Sequence, residues 1–406
     1  MDKKLKAKTK YETIIVGAGA GGLYCAAALS DALVLEKTKR PGTKLLMAGN
    51  GQCNVTHGGS IKEFLKYYGD KGKKIRSVLQ KHSNVELCRY LESLGIPLLE
   101  REDGKIFPKS MDAHDVLEGL LTKTAQILFE EEVTAILKDE EFFEVLTDKG
   151  RYNCTNLVIA TGGCSYPTTG SDGKMLKILE RDFGIEIVPP KPALTPVFVE
   201  NYRFEELSGI SFKDAGIIIY DGESRVHQDT GDLLLTFKNF SGPVIINNSR
   251  YIKTGMTIEL NFPGNISYQD LLAQLKNNCP GNNKSVAGYI SEDLSLPKRF
   301  AKLIADNLGI GEKKLSQLGG AEMKELAKAL TAQKFIVSGL AGFKEAMVTA
   351  GGVALDEVDL KTMESKRYPG LFFIGEVLDV DGDTGGYNLQ FAYSSAMAAA
   401  DKINSL

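Results

Sequence analysis

Three runs of β-branched and apolar residues that each end in glycine, two in the N-terminal part and one near the C-terminus, predict an α/β fold around a nucleotide-binding parallel sheet. Short strand-like runs over residues 195–199, 215–220, 232–237, 244–247 and 256–262, followed by helical periodicity near residues 268–276, 299–308 and 322–335, predict that this sheet domain is interrupted. The expected division is residues 1–190 and 343–406 for the sheet domain, 191–265 and 332–342 for an antiparallel β domain, and 266–331 for a helical insertion.

The first strand is Thr13-Ile14-Ile15-Val16, and it runs directly into Gly17-Ala18-Gly19-Ala20-Gly21-Gly22 and a small, apolar, helix-compatible stretch over residues 23–29. This is strand, GxGxxG, helix. Gly17 permits a tight turn, Gly19 lets backbone N–H groups approach a pyrophosphate, and Gly22 lets helix and strand pack closely. Ala20 and Gly21 complete the turn that faces the anion. The next strand, residues 32–35, ends in Glu36, followed by Lys37; Glu36 stands nineteen positions after Gly17, where a βαβ unit sets an acidic side chain beside a ribose. Together these features predict a dinucleotide without choosing between FAD and NAD.

A simple nicotinamide dehydrogenase would continue with further βα units, but the chain instead enters a long Gly-rich polar loop over residues 40–54. Loops of this kind are held by a rigid scaffold to meet a ligand. A second strand ends in Ala160-Thr161-Gly162-Gly163, and a third, from Gly370, ends in Gly375-Glu376. After residues 379–386 a helix opens at Tyr387-Asn388-Leu389-Gln390, where free N–H groups and the positive dipole end would face developing negative charge. The three strand ends imply one domain made from both ends of the chain.

Two long segments carry a family resemblance: Lys44 to Thr56 (KLLMAGNGQCNVT), and Gly375 to Gln390 (GEVLDVDGDTGGYNLQ) with Thr349-Ala350-Gly351-Gly352-Val353. They resemble the aminoacetone oxidase-like and bile-acid reductase-like flavoproteins, NAD(P)/FAD-dependent oxidoreductases, from about Tyr11 to the C-terminus. The resemblance implies an FAD-binding Rossmann-like domain interrupted by a β-rich domain and a helical insertion. It also implies FAD contacts at Gly17, Gly19, Gly22 and Glu36, at Lys44, Gly51, Cys53 and Asn54, at Thr161 and Gly162, and at Gly375, Glu376, Asn388 and Leu389. Val133, on a strand-like run over residues 132–137, resembles the position that meets adenine. Two departures stand out. Gln52 replaces the usual arginine in the cofactor loop, and Phe237 follows Thr236 where many members have histidine, so an acid/base role there does not carry over.

With 406 residues, 43% hydrophobic, the chain can build a core without disulfides or metals. Its 49 Lys+Arg against 52 Asp+Glu, a net charge of -3, give no global attraction to phosphate backbones, so nucleic acid is not expected as a partner. The six scattered cysteines lack CxxC spacing, which predicts neither a disulfide framework nor a zinc site and suits a reducing cytoplasm. No membrane span is expected, and lysines 3, 4, 6, 8 and 10 read as a solvated tail rather than a basic arm.

Weighed against redox, acid/base and metal roles, Cys53 has no resolving partner in its loop, His57 reads as a hydrogen-bonding residue, and Asp379, Asp381 and Asp383 read as loop-shaping groups. Thr236, Ser241 and Tyr387 are candidate pocket-lining groups, with hydrogen-bonding or surface roles as the plainer reading of each; the insertions are expected to wall a substrate pocket over the flavin. The expected activity is FAD-dependent two-electron or hydride transfer on a small organic or steroid-like molecule, either with transient NAD(P)H as a donor or with the flavin reduced by substrate and reoxidised by O₂ or another acceptor. A flavin-binding redox sensor without turnover is the alternative, and RNA modification is disfavoured by the acidic balance and by the lack of a basic, aromatic-interleaved stripe in the sequence. Of the 42 glycines, 22 fall in the five segments 17–22, 42–59, 162–173, 339–352 and 370–386, which suggests backbone cleared for one large cofactor.

Overall fold

The computed structural model describes residues 9–124 and 126–406; of the tail expected over residues 1–10, residues 1–8 lie outside the described residues, and Lys10 belongs instead to strand Thr9–Val16, where it pairs with Asn153. The chain divides into two compact units, one reaching to Pro192 and resuming at Met347–Leu406, the other Ala193–Ala346.

In the first unit the strand Thr9–Val16 sits centrally, parallel to Ala32–Glu36 on one side and to Arg151–Ile159 on the other. Gln126–Phe129 extends one side in parallel, and Leu371–Phe373, from the far end of the chain, extends the other. The apolar sequence of these strands explains their place. Ile14, Ile15, Leu33, Val34, Leu157, Val158 and Phe372 are fully buried, as expected of a sheet covered on both faces. Antiparallel additions, the hairpin Val133–Lys138 with Phe143–Thr147 and the short pair Val358–Asp359 with Glu364–Ser365, complete a nine-stranded mixed sheet. The C-terminal helix Tyr387–Asn404, rich in Ala and Ser, packs against the glycine-led helix Ala20–Ala27.

Register puts the functional ends together. Val16 pairs with both Leu35 and Ile159, and Ile159 pairs with Phe373. Gly17, Glu36, Thr161 and Gly375 therefore emerge from the carboxyl ends of four adjacent parallel strands, where open α/β sheets bind ligands.

In the second unit six strands close into a barrel: Val197–Val199, Phe240–Ser241, Ser224–Leu235, Ser211–Asp221, Thr257–Asn261 and Gln333–Leu340. Closure leaves no edge to aggregate. Helices Tyr268–Asn278, Val286–Glu292, Lys298–Asn307 and Gly320–Thr331 are inserted between the last two barrel strands, and Phe204, Phe212, Phe240, Phe262 and Phe300 form an aromatic cluster in the shared core.

Two element expectations need correction. Residues 244–247, β-branched and read as a strand, lie in and just after the helical turn Pro243–Ile246, because Gly242 at φ +86° and Pro243 in the first helical position start a helix. The helical run read through residue 335 stops at Thr331; Ala332 (φ -146°, ψ 39°) breaks it, and the last barrel strand begins at Gln333. Among the described residues no helix is long and apolar enough to cross a membrane.

Candidate cofactor cradle

The GxGxxG glycines divide their work. A Cβ on Gly17, which holds φ +105°, would lie 2.7 Å from the Ala160 carbonyl oxygen, and one on Gly22 would lie 1.9 Å from the Gly17 oxygen. These two glycines let the helix, the turn and the neighbouring strand touch. Gly19 has nothing within 4 Å of its Cβ position. It is the N-cap of helix Ala20–Ala27, which has no side-chain cap and no acidic residue in its first turn, so its leading N–H groups are open to an anion. Gly21 packs near Ile374 and Gly375, joining the first and last strand ends.

Glu36 is buried and organises the same edge: one carboxylate oxygen accepts the Ala18 N–H at 2.8 Å and the other the Thr38 N–H at 2.8 Å. Each oxygen keeps a lone pair for a further donor, such as a ribose hydroxyl. The Glu131 N–H reaches the Glu36 carbonyl at 3.0 Å, which brings the strand start at Val133, itself buried, to this end. Lys37 pairs with Asp172 at 2.8 Å, and Gly170 sits against Lys37 and Thr38, so residues 170–172 border the Glu36 end of the cradle. Burial pushes the Asp172 carboxyl up, but Lys37 and the Lys174 N–H outweigh it and hold it below its ordinary value.

Thr161 and Gly162 lie beside Gly17. The Thr161 Oγ1 and the Ser171 Oγ are buried with no hydrogen-bond partner, and Gly162 takes φ +69°. Buried polar atoms are ordinarily paired. Two orphan hydroxyls beside an uncapped helix N-terminus and an open Gly19 fit a polar nucleotide, so the residues present suit the dinucleotide that the glycine spacing predicts.

The second loop is strongly left-handed: Gly49, Asn50, Gly51 and Cys53 all have φ between 55° and 83°. The Gly51 carbonyl accepts the Ala113 N–H at 2.8 Å, which fixes the loop, and Gln52 is half-buried beside it. Lys44 reaches Glu376 at 2.6 Å, and the other Glu376 oxygen accepts the Thr349 N–H at 2.9 Å. Asp379, three residues along, repeats the pattern, accepting the Gly351 N–H at 3.0 Å and pairing with Lys71. The two long motifs thus meet through the Lys44–Glu376 pair, and Lys71, beyond the first motif, adds a second lysine–carboxylate contact.

Other expected site residues turn inward. Burial pushes the Cys53 thiol up to about 12, which suppresses the thiolate. The Asn54 amide nitrogen is committed to the Thr56 and Ile106 carbonyls at 2.8 and 3.0 Å. Asn388 closes on Gly382, accepting its N–H and donating to its carbonyl, both at 2.8 Å, and so shapes the turn before the C-terminal helix; Leu389, next to it, is half-buried. That helix opens at Gly386 with neither a side-chain cap nor an acidic first turn.

Sequence reasoning did not single out Ser171, Tyr67 or Lys71, and Thr349 figured only inside a longer motif. Thr349 Oγ1 accepts the Cys164 and Ser165 N–H groups at 2.8 and 3.1 Å, and Gly163 leaves it room. The clue was the Gly162-Gly163 pair, which implies something close against it.

The chain is 33% identical to a Haemophilus influenzae protein named ribosomal RNA dihydrouridine synthase, over 97% of this chain and 98% of that one. It is 31% identical to the Escherichia coli protein of the same name, with the same coverage, and 29% identical to the Clostridium scindens 3-dehydro-bile acid delta(4,6)-reductase over 95% and 97%. The crystal structure of a 3-ketosteroid-delta4-(5alpha)-dehydrogenase from Rhodococcus jostii aligns with a TM-score of 0.51 at 14% identity, covering 98% of each chain, a likeness of fold. A family model described as the HI0933-like protein Rossmann domain matches residues 11–402, and the chain belongs to this FAD/NAD(P)-binding, flavoprotein oxidoreductase-like family.

Proposed function

We propose that this protein is an FAD-dependent reductase of a carbon–carbon double bond conjugated to a carbonyl, with NAD(P)H as electron donor and a uracil base in RNA as the favoured substrate. One observation carries the reading: relatives aligned over nearly their whole length bear names that describe one kind of reaction. Making dihydrouridine saturates a double bond conjugated to the uracil carbonyl, and a delta(4,6)-reductase of a 3-dehydro bile acid saturates bonds conjugated to a ketone. A steroid-like enone is the second reading, favoured by the bile-acid relative. The expectation against nucleic acid rested on net charge and on the lack of a basic, aromatic-interleaved stripe, measures of strand binding that leave recognition of a single base open.

FAD, when bound, would supply two-electron hydride transfer. The chain's own contribution would be placement. The open N–H groups of helix Ala20–Ala27 would hold the pyrophosphate and Glu36 the ribose, with Lys37 and Val133 at the same end. Thr161 and Gly162 would offer the unpaired hydroxyl and a close backbone approach. The uncapped start of helix Tyr387–Asn404, which carries Leu389 in its first turn, would stabilise negative charge on the reduced ring, with Gly375 and the Lys44–Glu376 pair alongside.

The test uses purified FAD-loaded protein with NADH or NADPH, given unmodified ribosomal RNA transcripts in one arm and a 3-oxo-4,6-diene steroid in the other. A gain of two mass units on uridine supports the favoured reading, and reduction of the steroid alone supports the second. Reduction of neither, with the flavin bleached by NAD(P)H, points to the sensor without turnover.

A further inference from the structure

Saturating a conjugated double bond needs a proton as well as a hydride, so the chain should carry an acid close to the cradle. The start of the C-terminal helix is built into an aromatic cluster. The Tyr387 ring lies between His57, centroids 5.5 Å apart and nearly parallel, and Tyr67, 4.3 Å apart and nearly parallel. Phe64 and Tyr68 meet the same ring edge-on, and the Tyr68 hydroxyl donates to the Tyr387 carbonyl at 2.8 Å. Gly382 and Gly385 let the loop pass these rings, because a Cβ on either would come within about 3 Å of them.

Most acids in this cluster are already committed. Tyr68 is fully buried with its hydroxyl on a backbone carbonyl, and His57 Nδ1 lies 2.9 Å from the Gly58 carbonyl. Tyr387 is 2% exposed, and burial first, then the neighbouring Tyr67 phenol, pushes it well above its ordinary value. The Tyr387 and Tyr67 phenols share a hydrogen bond as well as the stacking contact, which ties Tyr67 to the buried ring. Tyr67 is 38% exposed, whereas Tyr68 and Tyr387 are buried, so of the three phenols it is the one open to a substrate.

We propose that Tyr67 is the proton donor to the reduced double bond, with Tyr387 as the residue that positions it. This rests on the reading of the protein as a reductase of conjugated double bonds. Hydride from the NAD(P)H-reduced cofactor adds to the carbon β to the carbonyl, and the π pair moves to the α carbon. There the Tyr67 O–H bond breaks and a C–H bond forms. The phenolate, held by the Tyr387 hydrogen bond, regains a proton from water, so one hydride and one proton are consumed per bond saturated.

The test is anaerobic stopped flow on NADPH-reduced holoenzyme mixed with the RNA transcript or the dienone steroid, in H₂O and D₂O, with substrate binding measured separately on oxidised enzyme. For Tyr67→Phe, substrate-dependent reoxidation should fall about 100-fold or more, as for loss of a general acid, with binding unchanged within about twofold and the solvent isotope effect of the wild type lost. Tyr387→Phe should slow it less, since the donor remains, and should keep the isotope effect. Wild-type reoxidation with an unaltered Tyr67→Phe rate and isotope effect overturns the assignment alone, as does a larger loss in Tyr387→Phe than in Tyr67→Phe. Wild-type enzyme that reduces neither substrate overturns the parent reading and the assignment together.

Discussion

In the unit that carries the cradle, a Cβ on Gly22, Gly352 or Gly386 would stand 1.9, 2.4 or 2.6 Å from backbone atoms of another segment. In the inserted unit, Gly209, Gly222, Gly255, Gly281 and Gly309 have nothing within 4 Å, and all five hold φ between +59° and +87°. The same residue type therefore answers two demands. In the cradle it removes a side chain so that strands, turns and rings can touch; in the barrel and its helices it supplies left-handed turns in open space. Among the left-handed glycines of the inserted unit, Gly242 and Gly264 are the exceptions, both pressed on backbone of a neighbouring strand. The glycine excess, expected to clear space for a cofactor, mostly clears space for protein. Gly19 alone in the fingerprint faces open space, which makes it the position that separates folding from binding.

Gly22→Ala should cause the largest loss. Its Cβ would stand 1.9 Å from the Gly17 carbonyl oxygen, backbone that no side-chain rotation can move, so stability should fall by about 3 kcal/mol or more and FAD content should collapse. Thermal melts and flavin absorbance of the purified variant would check this; a melting temperature near wild type would mean that the helix slides at little cost. Glu36→Gln comes next. Both carboxylate oxygens accept backbone N–H groups, so an amide must turn its NH₂ toward one of them, at a cost of about 2 kcal/mol before any ribose contact is lost. Urea unfolding of the apo protein isolates that share, and an unchanged midpoint would assign Glu36 to ligand binding alone. For Gly19→Ala the two quantities should part. Gly19 holds φ -81°, which alanine tolerates, so apo stability should stay within about 0.5 kcal/mol. FAD affinity should fall about tenfold, near 1.4 kcal/mol, because the methyl group occupies the approach to the helix N-terminus. Equal losses in both would show that Gly19 is packed like Gly22.

How much of this was legible in sequence follows the range of the interactions. The strand-to-glycine ends and Glu36 could be read because a βαβ unit is local, and the spacing from Gly17 to Glu36 fixes both on one sheet edge. The lysine–carboxylate pairs could not, since Lys44 meets Glu376 across 332 positions and no spacing records that. The segment of residues 56–121 went unread: its short helices Arg76–Lys81, Asn84–Ser93 and Ala113–Leu121 and its three-stranded sheet carry too few periods each to stand out. Asn388 shows the limit at one residue. The motif marked it, but its amide is spent on Gly382, so the motif recorded a turn that places the helix start. Val244 to Ile246 show the opposite error, where β-branched residues outweighed the Gly-Pro signal just before them.

The smallest effects come from the inserted unit, and there the sign itself depends on backbone angle. Gly255→Ala should destabilise by about 1 kcal/mol, because φ +86° is unfavourable for alanine even where space is open, and FAD content should not change. Gly320 also has nothing within 4 Å, but it is the first residue of helix Gly320–Thr331 and its φ is not left-handed. Gly320→Ala should therefore stabilise, by about 0.5 kcal/mol, since alanine loses less backbone freedom on entering a helix. Urea midpoints of the two variants, measured side by side, decide whether open space or backbone angle governs glycine in this unit. Opposite signs establish angle, whereas two gains would establish that space alone matters and would remove the contrast drawn between the units.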